Sequence, residues 1–164
     1  MMHYIYCKTP VGYVTIFDNG MAITAISFGR QTPQKGIYKE TILSNAAQKE
    51  LHEYFERKRK IFTLPLEPSG TVFQQKVWAV LQDIPWGQTR SYKQVAQAAG
   101  NPRACRAVGM ASHHNPIAIM IPCHRVIGAS GSLVGLDVYK RQPLGRGNTD
   151  GQSGACFLLE ILLP

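Results

Sequence analysis

Acidic residues are scarce in this chain: ten Asp and Glu stand against eighteen Lys and Arg, which leaves a formal charge of +8 and a pI near 9.5. That balance argues against a cationic partner and for an anionic one such as nucleic acid, although net charge governs association rather than fold. Long apolar runs are missing too. No stretch approaches the ~18 consecutive apolar residues of a membrane-crossing helix, and Met1 to Cys7 has no basic segment leading into an apolar one, as a secretory signal would. A cytoplasmic protein with no membrane partner is expected. The four cysteines, Cys7, Cys105, Cys123 and Cys156, form no C-x-x-C pair and have no zinc-type spacing with the five histidines. Free thiols in a reducing compartment follow, with neither a metal nor another cofactor expected.

What is present is enough for one ordinary domain or two small ones, at 164 residues and 45% hydrophobic content. His3 to Cys7, Tyr13 to Phe17 and Met21 to Phe28 are rich in Tyr, Ile, Val, Thr and Phe. Turn residues separate them, and Asn19-Gly20 is a strong hairpin signal because both residues accept positive φ. A three-stranded meander is expected. Ser44 to Glu56 then places Ala47, Leu51, Tyr54 and Phe55 at helical spacing, with Ser44 as the expected N-cap and Arg57-Lys58-Arg59-Lys60 as a solvated, basic end. Leu64 to Gly70, with two prolines and a glycine, reads as a linker.

Beyond the linker the positive bias is cleanest, six Lys or Arg against one acid over residues 70–125. Thr71 to Leu81 reads as a helix capped by Thr71, and Ile84-Pro85-Trp86-Gly87 stops it. Ser91 to Ala99 reads as a short helix capped by Ser91 and ended by Gly100. Asn101-Pro102 turns the chain into a third helix, Arg103 to His113. That layout is a helix-turn-helix unit, whose last helix normally enters a DNA groove. The third helix is small-sided and basic, so Arg103 and Arg106 can reach phosphates or a base stack while Ala107 and Gly109 allow close approach. Packing of its alanines against a core is the competing reading, and the two are compatible on opposite faces.

Asn115-Pro116 precedes Ile117 to Ile121, an apolar run expected to be a buried strand, which delivers Pro122-Cys123-His124-Arg125. Cys123 is either a small buried hydrophobe or a nucleophile, since a neighbouring imidazole or cation favours the thiolate. For His124 to assist Cys123 the chain must turn there, because strand neighbours point to opposite faces, or a water must bridge them. Asn115 is expected to satisfy backbone groups across that turn. A cysteine hydrolase has little support, since no third group or oxyanion motif is visible.

Five ordered blocks carry a resemblance: Phe73-Gln74-Gln75-Lys76-Val77-Trp78, Ile84-Pro85-Trp86-Gly87, Ser91-Tyr92, Arg106-Ala107-Val108-Gly109, and Asn115-Pro116 followed by Pro122-Cys123-His124-Arg125-Val126-Ile127. Together they resemble the O6-alkylguanine-DNA alkyltransferases, or methylated-DNA–protein-cysteine methyltransferases. The likeness runs over roughly residues 1–135 and is strongest from Gly70. It implies an α+β fold, with a ribonuclease-H-like domain of β-meander and helix over 1–66. A mainly helical, winged-helix-like domain with the helix-turn-helix follows over 70–135. It implies a monomer that binds double-stranded DNA and moves the alkyl group of O6-alkylguanine, with O4-alkylthymine a further candidate, onto its own cysteine. The transfer is irreversible, single-turnover and cofactor-free. By the resemblance Cys123 accepts the alkyl group, and His124 draws off its proton through a water. Asn115 braces the turn, Tyr92 helps rotate the nucleotide and protonates the leaving guanine, and Arg106 fills the vacated stack. Ser91, Tyr92, Arg103, Ala107, Gly109 and Arg125 join Arg106 as expected DNA contacts.

After Gly135 the sequence departs from the family pattern, for Leu136-Asp137-Val138-Tyr139 stands where a Tyr-x-Gly-Gly loop belongs. Residues 136–164 are expected to be an atypical, flexible tail that reduces alkyl transfer, with Glu160 as the candidate for the relay acid. The alternative function on the same scaffold is a non-enzymatic protein that binds alkylated DNA and marks the lesion for other repair factors.

Overall fold

The computed structural model describes residues 1–128, so the expectations placed on the tail and on Glu160 lie outside the described residues. The fold is α+β, in two compact units among the described residues: Met1–Ser69 with Pro116–Met120, and Gly70–Asn115 with residues 121–128.

In the first unit β1 (His3–Thr9), β2 (Gly12–Asp18) and β3 (Ile23–Phe28) form the antiparallel meander. A short strand, β4 (Ile37–Tyr38), pairs parallel with β1 and gives the order β3-β2-β1-β4. Register places Ile5 beside Ile16 and Ile26, and Cys7 beside Val14, on one face. Those residues are buried with Ala47, Leu51 and Tyr54 of helix α1 (Ile42–Phe55), and each aliphatic side chain so buried contributes about 1.5–3 kcal/mol.

Helix α1 starts earlier than its apolar spacing predicts. Thr41, not Ser44, is the N-cap: its Oγ1 accepts from the Ser44 N–H at 2.9 Å, while Ser44 Oγ accepts the Thr41 N–H at 2.8 Å. The Thr41 hydroxyl also donates to buried Asp18 at 2.9 Å, which fixes the helix start to the end of β2. The basic cluster after α1 is only partly a solvated end. Arg59 reaches back to Glu53 at 2.7 Å and to buried Glu50 at 3.5 Å, and Glu50 also accepts the Thr63 N–H and hydroxyl. A buried carboxylate requires such pairing. The expected linker likewise carries structure, for Leu66 forms a parallel bridge with Ile23.

Residues Pro116–Met120 add one more bridge to this sheet, between Ile117 and Ile26, but not the expected strand. Pro116 has no N–H to donate. Further on, the Met120 N–H bonds to the Ala118 carbonyl at 2.8 Å, a tight turn centred on Ile119 with φ +73°. A β-branched residue in that region is strained, and the turn ends any ladder.

The second unit holds α2 (Val72–Gln82), β5 (Arg90–Ser91), α3 (Tyr92–Ala98), α4 (Cys105–His113) and β6 (Val126–Ile127). Thr71 and Ser91 close capping boxes with Gln74 and Gln94, as expected of N-caps. The loop after α2 turns at Gly87, φ +81°, where the Gln88 N–H bonds to the Pro85 carbonyl at 3.1 Å. Helix α4 begins two residues later than predicted. Asn101 makes a turn of the intervening segment by accepting the Arg103 N–H on its side chain and the Ala104 N–H on its carbonyl. Strands β5 and β6 pair in parallel, tying the entrance of α3 to the segment that follows Arg125.

Candidate active site

Pro122 sets the local geometry. Its φ of −82° and ψ of 66° make an inverse γ-turn, which bonds the Cys123 N–H to the Ile121 carbonyl at 2.9 Å. Proline suits that turn because its ring already holds φ near the required value. The chain then enters a 3-10 turn over Cys123–Arg125, closed by the Arg125 N–H on the Pro122 carbonyl at 3.0 Å. The bend needed to bring His124 and Cys123 out of strand alternation is thus present, and both side chains are buried.

Asn115 braces this turn from its far side. Its Nδ2 donates to the Ile121 carbonyl at 2.8 Å, in a fully buried bond. Asn115 is the last residue before the chain leaves the unit and Ile121 the first after it returns, so the amide joins the two ends of that excursion. Arg125 secures the other end. Its Nη1 donates to the Ile84 carbonyl at 2.6 Å, just past the end of α2. The guanidinium is half-buried there.

Burial, and then the Arg125 cation, push the His124 imidazole down from its usual 6.5 to about 3. The ring is therefore neutral at pH 7. Among the described residues no group of His, Cys, Asp and Glu could hold a metal ion.

The helix-turn-helix places the other predicted residues. Helix α4 buries Val108 and Ala111 and exposes Arg106, Ala107 and Met110, with Arg103 exposed in the turn before it. Core packing and an outward basic face thus coexist on opposite sides. Tyr92, half-buried at the first position of α3, lies against Gly109: a Cβ there would sit 3.7 Å from the Tyr92 Cε1. Ser91 is half-exposed, and its hydroxyl accepts the Gln94 N–H at 3.1 Å as the cap of α3.

Two supports escaped sequence reasoning. Trp78 is buried and its Nε1 donates to the Ala111 carbonyl at 2.9 Å, fixing α2 to α4. Gly70 lies under the same ring, where a Cβ would come within 2.4 Å of it. A buried tryptophan needs a partner for its N–H, and that rule was the available signal. No pattern in the sequence identifies the carbonyl.

Comparison with known proteins agrees with this arrangement. Residues 72–145 match the family model described as 6-O-methylguanine DNA methyltransferase, DNA binding domain, and residues 2–68 match its ribonuclease-like domain. The chain is 42% identical over 142 residues to a constitutive methylated-DNA–protein-cysteine methyltransferase of Bacillus subtilis, covering 82% of this chain and 86% of that one. It is 39% identical over 139 residues to a Methanosarcina acetivorans protein named methylated-DNA–protein-cysteine methyltransferase, covering 82% and 88%. Among solved structures it superposes on Mycobacterium tuberculosis OGT in complex with DNA, with a TM-score of 0.76 and 37% identity over 99% of this chain and 95% of that one.

Proposed function

The chain belongs to the 6-O-methylguanine DNA methyltransferase family, and from that premise we propose that Cys123 is the residue that takes up the alkyl group. The protein is a DNA-repair methyltransferase that transfers alkyl groups from DNA to a cysteine of its own. Its partner is DNA. What carries the assignment to Cys123 is the braced turn at Pro122-Cys123-His124, with a neutral imidazole beside the thiol in sequence and the Ile121 carbonyl held by Asn115.

An O6-alkyl carbon inside the base stack is out of reach, so the lesion has to be extruded at a cost of a few kcal/mol. Arg106, on the outward face of α4, fills the gap left in the stack, while Arg103, in the turn before that helix, and Ala107 and Gly109 on it are further DNA contacts. Ser91 holds the start of α3 and with it Tyr92. The Cys123 proton passes to His124 through a water. The thiolate attacks the alkyl carbon, an S–C bond forms as the C–O6 bond breaks, and the departing guanine takes a proton from Tyr92. A thioether has no easy reversal, so each molecule acts once. Arg125 positions the 3-10 turn through the Ile84 carbonyl and is kept among the DNA contacts. A cytoplasmic location fits the three free cysteines among the described residues, and no helix among those residues is long and apolar enough to cross a membrane.

The experiment is to incubate the protein with duplex DNA carrying O6-methylguanine, measure its intact mass, and map the modified peptide. One added methyl on Cys123, and none in Cys123→Ala, is expected. Wild-type protein that binds the DNA and never gains mass would instead support the non-enzymatic reading.

A further inference from the structure

The face of the N-terminal sheet that α1 leaves uncovered is aromatic and cationic. Four of the chain's seven tyrosines are there. Tyr4 and Tyr6 alternate with the core residues of β1, Tyr13 stands opposite Lys8 on β2, and Tyr38 stands opposite Tyr4 on β4. Tyr38 packs edge-on to Tyr4 at 5.5 Å and tilted to Tyr6 at 5.4 Å, yet it remains 57% exposed, and Tyr13 remains 38% exposed. Tyr4 is itself buried, so the rings left open to solvent are those of Tyr38 and Tyr13, on the two strands that flank β1, and packing within this unit does not explain their exposure.

Arg30 completes the surface. Its guanidinium lies 4.1 Å from the Tyr13 ring centroid and 5.4 Å from that of Tyr6. The loop carrying it is fastened to the sheet on both sides. The Gly29 N–H bonds to the Tyr13 carbonyl at 2.7 Å, Thr15 Oγ1 donates to the Gly29 carbonyl at 2.7 Å and accepts the Gln31 N–H at 2.8 Å, and the Tyr6 hydroxyl meets that of Thr32 at 2.8 Å. The backbone on either side of Arg30 is thus fixed to the sheet. Lys8 shares the face, and Lys35 and Lys39 bracket β4 in sequence. Of the two acids in residues 1–40, Asp18 is buried and bonded by Thr41 and by the Gly20 N–H, which leaves only Glu40 exposed.

We infer that this face is a second nucleic-acid surface, which binds single-stranded DNA by stacking bases on Tyr38 and Tyr13 while Arg30 and the lysines meet the phosphates. The chemistry selects the occupant. Exposed rings beside cations on a sheet suit a polyanion that offers aromatic faces, and only unpaired bases have those faces available. The surface belongs to the first unit and shares no residue with α4, which the repair reaction uses on duplex DNA.

The test uses the full chain and a fluorescent oligo-dT strand, with a companion strand carrying 5-iodouracil for photo-cross-linking. Cross-links should map to Tyr38 or Tyr13. Tyr38→Ala and Tyr13→Ala should each weaken oligo-dT binding about tenfold, the size of one lost stacking contact. Arg106→Ala should weaken binding of methylated duplex and leave oligo-dT binding unchanged, whereas Tyr38→Ala should leave methyl transfer from duplex DNA unchanged. Circular dichroism confirms that each variant folds. Cross-links confined to residues 70–128, or tyrosine variants that bind oligo-dT like wild type, would overturn the inference. So would a concentration-dependent dimer, seen by sedimentation without DNA, that Tyr38→Ala abolishes, since the face would then belong to a second copy of the chain.

Discussion

The Asn115 side chain and the Cys123 backbone share one acceptor: the Ile121 carbonyl takes the Asn115 Nδ2–H at 2.8 Å and the Cys123 N–H at 2.9 Å. The oxygen's two lone pairs serve two jobs, holding the chain's return into the unit and starting the turn that presents the thiol. Asn115→Ala leaves a buried carbonyl with one donor fewer and should cost about 1–3 kcal/mol of stability. Asn115→Asp should be no better at neutral pH, because an ionised carboxylate cannot donate. Urea unfolding gives the stability, and single-turnover methyl transfer should slow in both variants more than duplex affinity falls. Unchanged transfer rates would remove Asn115 from the positioning of Cys123.

His124 makes stability depend on pH on the acid side. Its folded pKa, about 3, lies below the ordinary 6.5, so the unfolded chain binds the proton more readily. The contribution is complete above about 6.5 and is lost as pH falls from there toward 3. Chemical denaturation from pH 7.5 down should show this decline, and His124→Phe should flatten it. A wild-type profile no steeper than the variant's would show that the imidazole titrates freely in the folded protein.

Those two residues mark what the sequence can and cannot specify. Asn115 at the turn was legible because an amide beside an apolar run has few other uses, and the proline before Cys123 signals a departure from the strand. The caps at Thr71 and Ser91 were legible for a similar reason: the spacing of cap and Gln is local chemistry. The failures are tertiary. Nothing near Thr41 in sequence reveals Asp18, whose carboxylate moves the helix start. Ile117 to Ile121 has the composition of a strand, but the positive φ at Ile119 is imposed by the fold. The Ile84 carbonyl that Arg125 reaches is likewise a partner that only the folded chain supplies.

Cys7 should behave as the opposite of a reactive cysteine. Burial pushes its thiol up from 9.0 to about 11, and the thiol lies 3.8 Å from His52 Nε2, which itself bonds to the Lys8 carbonyl. At neutral pH iodoacetamide should alkylate Cys105, which is partly exposed, and leave Cys7 untouched until the protein is unfolded. Because the folded value is the higher one, stability is intact below about 9 and is lost as pH rises through about 11. Peptide mapping after native and denatured labelling decides it, and native labelling of Cys7 at the rate of Cys105 would contradict the burial argument.

Gly70 is required by space. Its Cβ would fall 2.4 Å from one Trp78 ring atom and 2.6 Å from another, both on a buried ring whose N–H is fixed to Ala111. That ring cannot swing aside without losing the bond. Gly70→Ala should therefore destabilise the protein by about 1–3 kcal/mol, as overpacking of a core does. Gly20→Ala, with open space around its Cβ and a positive φ, separates backbone strain from this clash. Thermal unfolding of the two variants, made in a Trp86→Phe background so that indole fluorescence reports on Trp78 alone, should show the tryptophan signal altered only in Gly70→Ala.

Arg106 offers the sharpest division between reaching the lesion and reacting with it. Its side chain is on the exposed face of α4, opposite Val108 and Ala111, so its removal leaves the core intact. Extruding a stacked base costs a few kcal/mol, part of which a cation inserted in the gap offsets. Arg106→Ala should therefore slow methyl transfer from duplex DNA by about tenfold or more, since each 1.4 kcal/mol of lost stabilisation is one factor of ten. Reaction with O6-benzylguanine as a free base needs no extrusion and should continue at the wild-type rate. The loss on duplex should shrink when the lesion is placed opposite a mismatched base, because a weakened pair is cheaper to open. Equal losses on duplex and free base would mean that Arg106 acts on the pocket around Cys123 and not on the stack.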